Sequence, residues 1–172
     1  MTNLLISTLP IESGHTEQLQ TELRGIGCET ELILTSDMKI SHCIGCNHCW
    51  IKTPGICRIK DDYEEILKKL LAADRAIFLT EAKLGFVSSK MKNLVDRMLP
   101  LATMHLKFKN GQMRHYSRYG RQPDLGLVAL DCTDEAYLEL WLERVQLNLN
   151  GKCLGAYDFR NRKGLYHALG HR

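Results

Sequence analysis

Long hydrophobic runs are missing from this sequence of 172 residues. The apolar stretches, such as Ala76-Ile77-Phe78-Leu79, are a few residues long, whereas a membrane-spanning helix needs roughly 20. The segment after Met1 runs straight into a short apolar stretch and lacks the basic region of a secretory signal. We therefore expect a cytoplasmic protein with no membrane partner.

A large excess of one charge is missing as well, because 23 Lys and Arg residues face 20 Asp and Glu residues. The positive charge is concentrated between residues 104 and 123, where the basic residues are Lys107, Lys109, Arg114, Arg118 and Arg121. No recognised nucleic-acid module accompanies this segment, so we expect no nucleic-acid partner. The interpretations left open are a loop that attracts the phosphates of a nicotinamide nucleotide, a dimer contact and a solvated loop.

Linkers rich in Gly, Pro or Ser and internal repeats are absent, and the length suits about one domain. With 44% hydrophobic and 25% charged residues, the composition is that of an ordinary globular protein. We predict one domain over residues 1–158, which contains a cysteine-rich loop over 36–60. A basic C-terminal tail is predicted over 159–172.

Short apolar runs alternate with amphipathic segments along the chain. The predicted strands are 3–7, 30–35, 75–80, 124–130 and 152–157, and the predicted helices begin near Thr16, Asp61, Ser88 and Thr133. Because parallel strands need crossover connections, this alternation predicts a doubly wound α/β fold with a five-stranded parallel sheet between two helical layers. Ligands of such sheets bind outside the carboxyl ends of the strands, so we expect function in the loops there.

The loop over residues 8–16 joins the first predicted strand to the start of a helix. Unpaired N–H groups and the positive end of the helix dipole attract a phosphate at such a position. Gly14 lets the backbone approach the anion, and the hydroxyls of Thr8, Ser13 and Thr16 can donate to its oxygens. The alternative is a plain turn without a ligand.

Seven cysteines in an expected cytoplasmic protein indicate free thiols, metal ligands or redox groups rather than a disulfide framework. The clustered ones are Cys43, Cys46, Cys49 and Cys57. Their spacing can wrap a [4Fe–4S] cluster. A zinc site made of thiolates and a loop of unmetallated thiols are the alternatives.

Three segments together resemble the flavodoxin-like NAD(P)H-dependent FMN reductase family, including its iron-sulfur flavoprotein branch. They are residues 8–16, the cysteine run 43–57 with Asp61-Asp62 behind it, and Leu84-Gly85-Phe86-Val87-Ser88 leading to Asp96-Arg97. The resemblance implies strand order 2-1-3-4-5, FMN held by the first and third loops, NAD(P)H as co-substrate, and a homodimer or homotetramer. The residues that it implies for FMN binding are Thr8, Pro10, Ser13, Gly14, His15, Thr16, Thr80, Glu81, Ala82, Lys83, Leu84 and Gly85. The resemblance also makes the four clustered cysteines candidate cluster ligands.

Both loops depart from the family pattern. In the first loop, Leu9, Ile11 and His15 stand where relatives have Ser, Arg and Asn. A carboxylate such as Glu12 about 6 Å from a phosphate costs roughly 2 to 3 kcal/mol at an effective dielectric near 20.

In the third loop, Glu81 and Lys83 replace a proline and an aromatic residue. A lysine here can interact favourably with an electron-rich reduced flavin. A solvated ion pair between Glu81 and Lys83 is the alternative interpretation.

The sequence thus predicts an FMN-dependent oxidoreductase that moves reducing equivalents from NAD(P)H to a flavin, quinone or other small acceptor. It contains no Ser-His-Asp or paired-carboxylate arrangement, so no catalytic residue is predicted, and the cofactor carries the chemistry. One alternative is an iron-sulfur electron carrier with a [4Fe–4S] cluster on the cysteine loop. The other is a flavodoxin-fold protein without flavin that has a binding or regulatory role.

Overall fold

A parallel sheet forms the centre of the molecule in the computed structural model, which describes residues 1–120 and 122–170. The strands are β1 Asn3–Ser7, β2 Thr30–Leu34, β3 Arg75–Lys83, β4 Phe86–Val87, β5 Ala102–Lys109, β6 Gln112–Ser117, β7 Asp124–Leu130 and β8 Cys153–Asp158. The helices are α1 His15–Gly25, α2 His48–Ile51, α3 Tyr63–Ala72, α4 Ser89–Asp96, α5 Glu135–Leu149 and α6 Lys163–Gly170. Arg121 of the basic segment and residues 171–172 of the predicted tail lie outside the described residues.

The strand order is β2-β1-β3-β7-β8, with neighbouring strands parallel, which confirms the predicted flavodoxin-like sheet. β1 lies between β2 and β3, and its Asn3 pairs with Thr30 of β2 on one side and Arg75 of β3 on the other. The short strand β4 adds an antiparallel pairing at the end of β3. The carboxyl ends of β1, β3 and β7 therefore meet at one edge of the sheet.

Two helical layers cover the sheet, as the continuous apolar strands require. Side chains alternate along β1, so Leu4 and Ile6 join the core beneath α3, α4 and α5, while Leu5 joins the core beneath α1 and α6. The three predicted layers are thus present. Within the described part of the chain, no helix has the length and apolar character needed to cross a bilayer.

The structure differs from the sequence-based expectation in the C-terminal segment. Residues 163–170 of the predicted tail form α6, and its buried Leu165 and Leu169 belong to the core of the domain. Arg75 fixes the end of this helix by donating from Nη1 to the carbonyl oxygen of Leu169 at 2.7 Å. A helix of eight residues with two buried leucines gives too short a periodic pattern to stand out among charged neighbours.

The basic segment is also more ordered than the expected loop. β5 and β6 form a separate antiparallel hairpin, in which Lys107 pairs with Arg114 and Phe108 with Met113. Phe108 is 77% exposed, and Ala102 is the one buried residue on the described strands β5 and β6.

Candidate functional site

The connection between β1 and α1 lies at the carboxyl end of the sheet, beside the position expected for the flavin, which is named the candidate flavin crevice. A single 3-10 turn, Ile11–Ser13, leads to Gly14, whose φ of 70° lies in the left-handed region that favours glycine. No side chain among the described residues caps α1, so the N–H groups of its first turn remain available to a ligand. A Cβ at Gly14 would meet nothing within 4 Å, which shows open space beside the helix start.

The hydroxyls predicted to bind phosphate are engaged by protein partners. Thr8 Oγ1 donates to Thr80 Oγ1 at 2.9 Å, and Thr16 Oγ1 is hydrogen bonded to Ser7 Oγ at 2.7 Å, both in the interior. Ser13 is exposed, but its hydroxyl donates to the carbonyl oxygen of Pro10 at 2.8 Å. These hydroxyls fix the shape of the loop, and the uncapped backbone N–H groups are the open donors.

His15 supplies an unsatisfied polar atom at the start of α1. Its ring lies edge-on to Phe159 at a centroid distance of 4.9 Å, and Nδ1 is buried without a hydrogen-bond partner among the described residues. Such an atom in a native structure calls for a partner, and a ligand oxygen is one. Glu12 is exposed on the preceding turn, where water and salt screen its charge. The loop therefore fits a phosphate better than its sequence indicates.

The third predicted loop is a tight hairpin. β3 continues through Lys83, the turn consists of Leu84 and Gly85, and β4 returns with Lys83 opposite Phe86. Thr80 is buried and hydrogen bonded to Ser88 Oγ at 2.8 Å. Six residues predicted to hold the flavin therefore lie on a strand end and its turn.

The side chains of Glu81 and Lys83 form an exposed ion pair at 3.0 Å on this hairpin. This is the contact that the alternative interpretation of the two residues predicts. Because each side chain is close to half or more exposed, the pair contributes little to stability. It does, however, place compensating charges together, so Glu81 does not stand as an isolated anion at the crevice.

Leu84 occupies a conformation that leucine rarely adopts, with φ of 53° and a fully exposed side chain. Two-residue hairpin turns with positive φ at both positions favour Asn or Gly at the first. We expect Leu84→Gly to raise the free energy of unfolding by about 0.5 to 1 kcal/mol, measured by urea denaturation. A loss of stability would show that the leucine side chain makes a stabilising contact in the folded protein.

The cysteine-rich loop contains α2 and holds four thiols in different environments. Cys49 is buried, Cys46 is exposed, and Cys43 and Cys57 are partly buried. Burial raises the pKa of the Cys49 thiol, and the nearby thiols of Cys57 and Cys43 raise it further. Within the described residues, no three His, Cys, Asp or Glu side chains are gathered in the arrangement of metal ligands.

A buried ion pair anchors this loop to the helices behind it. Arg97, just after α4, donates two hydrogen bonds of 2.9 Å to the Asp61 carboxylate, and its side chain is 1% exposed. Arg97 also donates to the carbonyl oxygen of Ser41, and Asp61 accepts from the N–H of Ser41 at 2.8 Å. Although burial raises it, the hydrogen bonds from Arg97 and Ser41 hold the pKa of Asp61 below its ordinary value.

Sequence reasoning did not assign this role to Asp61 or Arg97. The sequence indicates Asp61 only as a residue at a helix start and Arg97 only as part of a segment that carries the family resemblance. The signal in the sequence that could have indicated this pair is that an acidic and a basic residue stand in two different segments that carry the family resemblance.

Together, the strand order, the uncapped helix after β1 and the hairpin after β3 define a flavodoxin-like α/β protein. A model of the NADPH-dependent FMN reductase family matches residues 12–118. The chain belongs to this family, which confirms the resemblance read from the sequence.

Known relatives point to the same group. The chain is 44% identical over 100 residues to an iron-sulfur flavoprotein of Methanocaldococcus jannaschii, a match that covers 56% of this chain and 51% of that protein. It is 36% identical over 81 residues to an iron-sulfur flavoprotein of Archaeoglobus fulgidus, covering 47% of this chain and 39% of that protein. The match thus spans about half the length of the first relative and less of the second.

Solved structures share the fold. RosB, solved with a bound riboflavin-phosphate intermediate, superposes with a TM-score of 0.67 at 15% identity, covering 99% of this chain and 77% of that one. A flavone reductase superposes with a TM-score of 0.60 at 16% identity, covering 91% of this chain and 53% of that one. At such identities the likeness concerns the fold alone.

Proposed function

We propose that this chain binds FMN at the carboxyl ends of β1, β3 and β7 and transfers reducing equivalents from NAD(P)H to a flavin, quinone or other small acceptor. The observation that carries the proposal is the uncapped start of α1, where Gly14 is in the left-handed region and open space lies beside it. Family membership supports FMN as the anion that fills this position.

FMN supplies the hydride chemistry when bound, and the protein supplies binding and orientation. In this proposal the N–H groups of the first turn of α1 hold the phosphate, as helix N-termini do. His15 Nδ1 gains the hydrogen-bond partner that it lacks among the described residues. The β3–β4 hairpin, whose base is fixed by the buried hydroxyl of Thr80, borders the ring. No side chain is assigned a catalytic proton transfer.

Flavin titration tests this function. Addition of FMN to the purified protein is expected to quench flavin fluorescence until one equivalent is bound, and anaerobic NADPH is then expected to bleach the visible flavin absorption. Gly14→Ala is expected to weaken FMN binding roughly tenfold, because alanine disfavours the φ that shapes the loop. Gly27→Ala is a matched control, since Gly27 has φ of 77° and equally open surroundings after the far end of α1.

Unquenched fluorescence at saturating FMN would reject the flavin function and favour the flavin-free binding or regulatory domain. Equal losses in the two glycine variants would assign the effect to stability rather than to the phosphate loop.

An iron-sulfur electron carrier is the second candidate. The spacing of Cys43, Cys46, Cys49 and Cys57 and the names of the archaeal relatives favour it. Four thiols are a suitable donor set for a [4Fe–4S] cluster, but the loop would have to bring them closer together than the structure does. Iron and acid-labile sulfide, assayed after anaerobic purification, decide between the two candidates, and absence of both would eliminate the second.

The proposal also includes a cytoplasmic homodimer or homotetramer. Its support is the β5–β6 hairpin, which exposes Leu106, Phe108 and Met113. Contiguous apolar surface of this kind is typical of protein interfaces. Light scattering of the purified protein measures the assembly directly.

A further inference from the structure

A groove outside the candidate flavin crevice lies between the segment that follows β2 and the start of α4. Its volume is about 240 Å³. One wall carries Thr35, Ser36 and His42, and the other carries Ser89, Lys90 and Asn93. The proposed contacts of FMN use none of these side chains.

The walls of the groove are fixed by hydrogen bonds rather than left to a flexible loop. Asn93 is buried, and its Nδ2 donates to the carbonyl oxygens of Ile40 and Ser41 at 3.3 and 3.4 Å. The Asp62 carboxylate accepts from the N–H of Lys39 at 2.7 Å, next to the buried ion pair that holds the same segment. Because these hydrogen bonds already hold the groove in shape, a ligand does not have to order it on binding. The entropic cost of binding is therefore lower.

The side chains of the groove suit an anion. Lys90 forms no ion pair with any residue that the structure describes, and His42 adds a second nitrogen donor. Ser36 Oγ is buried and has no hydrogen-bond partner within the described part of the chain. No carboxylate lines the groove, and Asp37 on the same segment is exposed outside it.

The groove lies next to the ends of the strands that carry the candidate flavin loops, because residues at or beside its walls are hydrogen bonded to those strand ends. Ser88, which caps α4, donates from its N–H to the carbonyl oxygen of Glu81 at 3.0 Å and shares a hydrogen bond with Thr80. Thr35 donates from its N–H to the carbonyl oxygen of Ser7 at 3.0 Å. A ligand with its anionic end in the groove can therefore extend toward the crevice.

We propose that this groove binds the adenosine-phosphate end of the nicotinamide dinucleotide, with Lys90 pairing with a phosphate. The inference rests on the proposed function, because the crevice must hold the flavin that the nicotinamide reduces. A dinucleotide matches both features of the groove, since its phosphates need cationic and hydroxyl partners and its nicotinamide end has to reach the flavin. The basic β5–β6 hairpin is the competing location for the phosphates.

The test uses FMN-loaded protein and 2′,5′-ADP, which carries the 2′-phosphate and the 5′-phosphate of the adenosine end of NADPH and lacks the nicotinamide half. Calorimetry is expected to show a dissociation constant roughly tenfold higher for Lys90→Gln than for the wild type, because a charge-assisted hydrogen bond is lost. Lys90→Arg is expected to retain binding. Lys152→Gln makes the same charge change at the amino end of the strands and is expected to leave binding unchanged.

Three results would overturn the proposal. One is equal affinity of Lys90→Gln and wild type. Another is loss of binding in the hairpin variant Lys107→Gln/Lys109→Gln while Lys90→Gln binds normally. The third is an affinity for 2′,5′-ADP no greater than that for inorganic phosphate.

Flavin titration of the same preparations separates this inference from the proposed function. FMN binding without nucleotide binding rejects the groove alone. Failure to bind FMN rejects the proposed function, whatever the nucleotide does. Displacement of 2′,5′-ADP by FMN from flavin-free protein would identify the groove as part of the flavin site and contradict the proposal.

Discussion

Replacement of Arg97 by methionine is expected to lower the free energy of unfolding by about 3 to 5 kcal/mol. The guanidinium is 1% exposed and makes two hydrogen bonds with the Asp61 carboxylate, so its removal leaves a buried charge without its cationic partner. Methionine keeps the length of the side chain and fills most of its volume, which separates the loss of charge from the opening of a cavity. Urea denaturation at neutral pH measures the effect.

Lys92→Met is the matched control, because Lys92 pairs with Asp96 one turn later on α4 and both side chains are close to half exposed. This control is expected to lower the free energy of unfolding by less than about 0.5 kcal/mol. The Arg97→Met, Asp61→Asn double variant is expected to lose less than the sum of the single changes, since neither partner is left charged. Equal stability of Arg97→Met and wild type would contradict the role of the pair.

Acid has a related effect on the wild type. The pKa of Asp61 is lower in the folded protein than in the unfolded chain, where it is about 4. The Asp61 carboxylate therefore makes its full contribution to the free energy of unfolding above the unfolded pKa. This contribution is lost as the pH falls from about 4 through the folded pKa. Arg97→Met lacks this part of the pH dependence, because the shift depends on the guanidinium.

FMN is expected to bind about a hundredfold more tightly than riboflavin, which has the same ring without the phosphate. Two charge-assisted hydrogen bonds from the first turn of α1 contribute about 1.5 kcal/mol each, and their sum corresponds to roughly this factor. Fluorescence quenching with each ligand gives the two dissociation constants. The ratio is expected to fall as salt is added, since part of the preference is electrostatic.

His15→Phe provides a second measure of the same contact. The variant retains an aromatic ring against Phe159 but removes Nδ1, so it is expected to weaken FMN binding and leave riboflavin binding nearly unchanged. Equal affinities of the wild type for FMN and riboflavin would show that no phosphate site exists at α1.

The central sheet could be predicted because each of its main strands is encoded by a short stretch of consecutive residues. Residues 4–6 and 125–130 are uninterrupted runs without a polar side chain, which is typical of strands covered on both faces. The β5–β6 hairpin was not recognised, because Leu106 and Phe108 alternate with lysines on strands without a buried face. Its order comes from pairing between its strands and from contacts with neighbouring helices.

The candidate site was predictable in position but not in detail. The sequence predicts a phosphate site at the loop before α1 from its glycine, yet it could not show that Thr8 and Thr16 turn into the interior to bond Thr80 and Ser7. The pairing of Asp61 with Arg97 joins residues that are 36 positions apart, which no local pattern reveals. Lys90 belongs to a groove only because α4 lies beside the segment that follows β2.

The most direct test of the account is a crystal structure of the protein soaked with FMN. We expect the phosphate against the first turn of α1, with one of its oxygens within hydrogen-bond distance of His15 Nδ1, and the ring beside the β3–β4 hairpin. An empty helix start at saturating FMN, or a flavin bound elsewhere on the molecule, would contradict the account.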